Sequence, residues 1–136
     1  MIPDLPAGID QIKGFLADDE AQALYQHALA VSASGPVLEI GSYCGKSTIY
    51  LGLACQRNGS TVFALDHHRG SEEHQLGEFF HDPQLYDASE GIMDSFREFR
   101  RNIHAAGLDD VVVPIVAGSE TAARHWQTPL AMVFID

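Results

Sequence analysis

Positive charge is scarce in this chain. Eight Lys and Arg stand against 19 Asp and Glu, a formal net charge of −11, and such a field repels phosphate backbones, which disfavours nucleic acid as a main partner. Cysteine is scarcer still. Cys44 and Cys55 are too few for a disulfide framework and lack metal-ligand spacing, so no metal site is assigned. Long apolar runs are also missing: none approaches the roughly 20 residues that span a bilayer, and the start Met-Ile-Pro-Asp-Leu-Pro has no basic stretch leading into an apolar one. These features imply a cytoplasmic protein without a membrane partner. What the chain does have is an apolar content of 46% over 136 residues, enough for one globular domain with a real core.

The most informative stretch is Val37-Leu38-Glu39-Ile40-Gly41-Ser42-Tyr43-Cys44-Gly45-Lys46-Ser47-Thr48. A short apolar run opened by Gly35-Pro36 is closed by a glycine-bearing turn, and a helical pattern follows from about Lys46 to Arg57. In a parallel α/β sheet this turn lies at the carboxyl end of a strand. Gly41 and Gly45 let backbone approach a ligand there, and the helix amino terminus offers unpaired N–H groups. A nicotinamide fingerprint fits less well, because G-x-G-x-x-G needs glycine where Tyr43 and Lys46 stand. Cys44 reads as a small packing residue rather than a nucleophile.

This stretch resembles the first motif of class I S-adenosylmethionine-dependent methyltransferases, and Gly-x-Tyr-Cys-Gly in particular is similar to the loop of the catechol O-methyltransferase-like branch. The resemblance implies an α/β, Rossmann-like methyltransferase fold with S-adenosylmethionine as cofactor and a small molecule as methyl acceptor. The cofactor-binding set it implies is Glu39, Gly41, Ser42, Tyr43, Gly45, Asp66, His67, Gly118, Ser119 and Asp136. No catalytic residue is assigned.

Along the chain, residues 1–17 form an amino-terminal segment whose apolar set, Ile9, Ile12, Phe15 and Leu16, suits a short helix packed on the body. Asp18-Asp19-Glu20 then open a helix, with acidic charge at the positive end of its dipole. Thr61-Val62-Phe63-Ala64-Leu65-Asp66 reads as a second buried parallel strand closed by Asp66, a carboxylate able to take two vicinal ribose hydroxyls. Residues 67–91 lose periodicity and read as a long loop or lid. It carries His67, His68, His74 and His81 without H-x-x-x-H or H-E-x-x-H spacing, and Phe79, Phe80 and Tyr86 to pin it or to line an acceptor pocket.

Ile92, Phe96, Phe99, Ile103 and Ala106 lie on one helical stripe that Gly107 ends. Val111-Val112-Val113-Pro114-Ile115-Val116 is a third strand, which its proline places at a sheet edge. Gly118 and Ser119 open a helix; the resemblance puts them beside the adenine, while a plain cap by Ser119 remains open. Trp126 reads as packing. Leu130 to Asp136 is a fourth strand, apolar on both faces.

The family's sheet has seven strands in the order 3-2-1-4-5-7-6. This chain supplies one partial domain over residues 1–136, with parallel strands in the order 3-2-1-4 and strands 5–7 lacking. Two expectations follow: a homodimer through the exposed edge of strand four, and a chain that binds cofactor yet by itself transfers nothing. A non-catalytic scaffold or dimerisation module stands as the alternative.

Overall fold

The computed structural model describes residues 2–71, 74–78 and 81–136. Its main sheet is four-stranded and parallel. The strands are β1 (Val37–Ile40), β2 (Val62–Leu65), β5 (Val112–Ile115) and β6 (Met132–Ile135), in the order β5-β2-β1-β6. Counted within this sheet alone, that is 3-2-1-4. Pro114 falls on the outer strand β5, where a residue without an N–H breaks no ladder beyond β2.

The registers sort the strand residues onto two faces. Val37, Val62, Val112 and Met132 share one row, with Glu39, Ala64, Pro114 and Phe134 in the next. This face packs against α1 (Asp18–Val31) and α2 (Lys46–Arg57) in the main core. α1 begins where its sequence predicts: Asp18, Asp19 and Glu20 fill its first turn, and the Glu20 carboxylate accepts the Ala17 N–H at 3.2 Å. Every residue of α2 from Ser47 through Cys55 is buried. A helix enclosed on all sides holds its first turn, and hence the loop before it, in one place.

The opposite face carries Leu38, Phe63, Val113 and Val133 in one row, and Ile40, Leu65, Ile115 and Ile135 in the other. Trp126 packs edge-on against Phe63 with ring centroids 5.3 Å apart. Leu38 and Leu65 are buried, but Val133 is 48% and Ile135 72% exposed, so strand four is not enclosed on both faces.

Two local expectations need correction. The stripe that predicts a helix from Ile92 instead yields a two-residue strand, β4 (Ile92–Met93), paired antiparallel with β3 (Tyr86–Asp87). The helix α3 (Phe96–Ala105) starts later, with Ser95 as its N-cap residue; Asp94, one residue earlier, accepts the Phe96 N–H at 2.9 Å and turns the chain into the helix. Its end agrees with the sequence. Gly107 is left-handed, and Leu108 N–H reaches the Ile103 carbonyl at 3.1 Å.

The second correction concerns the amino-terminal segment. It makes only a short 3-10 turn, Ile9–Gln11; Ile9 is buried, but Phe15 is 87% exposed rather than packed into the body. Lys13 ties this segment to the later loop, bonding the Asp82 carboxylate and, at 2.5 Å, the Gln84 amide oxygen. Within the stretch 67–91, Glu72, Glu73, Phe79 and Phe80 lie outside the described residues, so the roles expected of the two phenylalanines are not addressed. Tyr86 meets His81 edge-on at 5.5 Å. Among the described residues no helix is long and apolar enough to cross a membrane.

Candidate functional site

The carboxyl ends of β1 and β2 meet at a loop that few sequences could form. Residues 41–45 take left-handed backbone at Gly41 (φ 94°), Tyr43 (φ 48°) and Gly45 (φ 93°). A side chain at Gly45 would also have its Cβ 3.2 Å from the Phe99 ring, and one at Gly41 would stand 3.3 Å from the Asp136 carbonyl. The left-handed torsion favours glycine at both places, and the close neighbours add to the cost of a side chain.

The loop is fastened on three sides. Gly41 N–H donates to the Leu65 carbonyl at 2.8 Å, Tyr43 N–H donates to Asp66 Oδ2 at 2.8 Å, and the Asn102 amide on α3 donates to the Cys44 carbonyl at 2.8 Å. Cys44 itself is wholly buried, and burial pushes its thiol up to about 12, which suits packing and not attack.

Asp66 is the pivot. Its Oδ2 takes the Tyr43 N–H and its Oδ1 takes the His68 N–H at 2.8 Å, so one carboxylate joins the exits of both central strands. Each oxygen retains a second lone pair for a ligand hydroxyl. His67 stands beside it, half exposed, with Nδ1 3.8 Å from Asp66 Oδ1. That nitrogen also accepts the Arg69 N–H at 2.9 Å, which fixes the ring beside the carboxylate.

Around these groups lies a cavity of about 430 Å³ whose walls include Gly41, Tyr43, Asp66, His67, His74 and Asp136. The volume falls within the range of small-molecule sites. The Tyr43 ring forms a wall by stacking on His74 at 5.5 Å. Asp136 N–H donates to the Ile40 carbonyl at 2.9 Å, and burial raises its carboxyl, with Glu20 and Asp66 adding in the same direction.

The remaining expected residues lie around this cavity at different depths. Ser42 is buried behind the loop, and its hydroxyl has no partner among the described residues. Glu39 stands beneath the loop, wholly buried, with its carboxylate taking the Ser47 hydroxyl at 2.5 Å and that of Thr48. Gly118 and Ser119 follow Ala117, whose N–H donates to the Asp66 carbonyl at 3.3 Å, but they do not line the cavity. Ser119 makes no side-chain cap; α4 (Ser119–Ala123) has Gly118 in that position. Among the described residues no three His, Cys, Asp or Glu side chains converge as metal ligands would.

Residues 38–136 match the family model described as a methyltransferase domain. The chain belongs to this family. Solved structures agree on the fold of the methyltransferase domain. The cofactor-bound Rv0187 protein from MTB is 22% identical with a TM-score of 0.63, and the match covers 96% of this chain and 50% of that one. The SAH-bound methyltransferase PaMTH1 of Podospora anserina is 13% identical with a TM-score of 0.66, covering 97% and 50%. The O-methyltransferase TomG of Streptomyces achromogenes, involved in tomaymycin synthesis and solved with SAM, is 18% identical with a TM-score of 0.59, covering 90% and 45%. This methyltransferase-family chain thus spans about half the length of the structures it matches.

Sequence reasoning missed two contributors, His68 and Ser95. His68 is only 2% exposed, with Nδ1 2.7 Å from Ser95 Oγ, and its ring packs against both Phe96 and Phe99, with centroids 5.2 Å from each. One signal was present: Asp94-Ser95 before an apolar helical run marks a helix start that other groups can use.

Proposed function

We propose that this domain binds S-adenosylmethionine in the cavity over Gly41 and Asp66 and serves methyl transfer to a small-molecule acceptor. The observation that carries the reading is the Asp66 carboxylate, fixed by the N–H groups of Tyr43 and His68 at the mouth of a glycine-shaped loop. When bound, the cofactor supplies a methyl group already activated by its sulfonium. The chain's residues bind and orient. Asp66 accepts the ribose hydroxyls, and Gly41, Ser42, Tyr43 and Gly45 shape the pocket by close backbone approach. Gly118 and Ser119, outside the cavity's walls, border an adenine that extends beyond it, and Asp136 positions the amino group through water. Glu39 supports the loop from below, and His67 edges the ribose.

Charge favours this cofactor over a dinucleotide. Among the described residues Asp66 and Asp136 line the cavity and no Lys or Arg does, an environment that attracts a sulfonium and an ammonium and repels a pyrophosphate. Isothermal titration of the chain with S-adenosylhomocysteine tests the reading, with NAD as comparator. Saturable one-to-one binding is expected with Kd of about 10–100 µM, against no heat from NAD at about 1 mM. A folded chain that takes NAD and ignores S-adenosylhomocysteine overturns it.

A second reading, self-association, rests on β6. This strand is the outer member of the sheet, paired only with β1 among the described residues, and it displays Val133 and Ile135 to solvent. An unblunted apolar edge is a template for strand pairing. Sedimentation velocity across about 5–200 µM is expected to show a dimer that Val133→Lys weakens at least tenfold. A wild-type monomer throughout that range removes the idea.

A further inference from the structure

His68 is an unusual residue to bury. It takes left-handed backbone (φ 63°), which a non-glycine residue adopts only under constraint. Its ring packs against Phe96 and Phe99, and among the described residues its buried Nε2 has no hydrogen-bond partner. A leucine would fill such a space with no orphaned nitrogen. Something is gained in exchange for that cost.

The gain lies in a two-point clasp. The Ser95 N–H donates to the His68 carbonyl at 2.9 Å, and His68 Nδ1 bonds Ser95 Oγ at 2.7 Å. Backbone and ring are thus both fixed to the start of α3. With the residue held in that conformation, its own N–H points at Asp66 Oδ1. The same helix holds the glycine loop through Asn102. Asp66 is therefore oriented from both sides by one rigid element.

We propose that His68 is a positioning residue for the cofactor site: clasped to Ser95, it aims its backbone N–H at Asp66 and so sets the orientation in which that carboxylate meets the ribose hydroxyls. The inference rests on the cofactor reading above and adds the device that makes Asp66 selective. A residue acting through Asp66 must alter recognition of the ribose in particular. General loosening would weaken every ligand alike.

The test compares S-adenosylhomocysteine with its 2′,3′-dideoxyribose analogue by isothermal titration. The wild-type chain should prefer the hydroxylated ligand by about 100-fold, as two charge-assisted hydrogen bonds imply. His68→Ala should shrink that preference to below about tenfold. His68→Asn, which tolerates left-handed backbone, should recover most of it. Should His68→Ala fail to fold by circular dichroism, Ser95→Ala is read in its place, because it removes the ring's partner and keeps the residue; a loss of at least about threefold in preference is expected. Equal weakening of both ligands, or an unchanged preference, overturns the proposal. So does a wild-type chain that binds both ligands equally well, whereas one that binds neither refutes the cofactor reading itself.

Discussion

Asp66→Ala weakens S-adenosylhomocysteine binding at least about 100-fold while the chain stays folded. Two losses combine. The ribose hydroxyls lose a carboxylate acceptor, at about 1.5–3 kcal/mol for each hydrogen bond to a charged group. The Tyr43 and His68 N–H groups lose the oxygens that hold them at 2.8 Å, and both residues relax from left-handed conformations that the carboxylate helps to maintain. The side chain is 17% exposed, so water replaces part of what the N–H groups lose, and the cost in stability is expected to be about 2 kcal/mol.

Titration calorimetry reads the first effect and urea unfolding the second. Asp66→Asn sharpens the reading: its amide has one acceptor oxygen for two N–H donors, so it should recover less than half of the lost binding energy. Wild-type affinity in the alanine variant would show that the carboxylate holds only the loop.

The central strand, the glycine turn and the following helix were legible because each rule there has a single outcome. Gly41 and Gly45 mark left-handed backbone, and α2 runs from Lys46 to Arg57 as its pattern predicts. The place of Asp66 was legible too, because it closes the apolar run Val62–Leu65 that forms β2. What surrounds it was not. His68 sits among four histidines in a polar stretch, and only packing distinguishes a buried one from three that are not.

The short hairpin escaped for a different reason: two-residue strands are too brief for alternation to register. Its Ile92 also fell by chance at helical spacing from Phe96, which drew the predicted start four residues too early. Phe15 illustrates the converse error. An apolar side chain in a short segment is not thereby buried, because turn geometry alone decides which way it faces.

The buried acid of β1 carries the second large effect. Glu39 shares a sheet face with Val37 and is wholly buried. Desolvation pushes its carboxyl up from 4.5 to about 7; the Ser47 and Thr48 hydroxyls oppose the rise, and the nearby Asp136 and Asp66 charges add to it. An acid with a raised pKa in the folded state binds more protons folded than unfolded between those two values. Its contribution to stability is therefore fully present below about 4.5 and is lost as pH rises through about 7.

At 1.36 kcal/mol per unit the full loss is about 3 kcal/mol, a large share of a typical domain's stability. Asp136, also raised, acts in the same direction. His68, held low by burial, acts in the opposite one, since the unfolded chain takes up its proton first. Glu39→Gln separates Glu39 from both. It keeps the shape and presents an oxygen and an amide to two hydroxyls that can rotate to suit. Urea unfolding at pH 5, 6, 7 and 8 should then show the wild type losing about 2–3 kcal/mol relative to Glu39→Gln across the series. Parallel curves would mean that the Ser47 and Thr48 hydroxyls hold Glu39 ionised throughout, and that the glycine loop rests on a fixed negative charge.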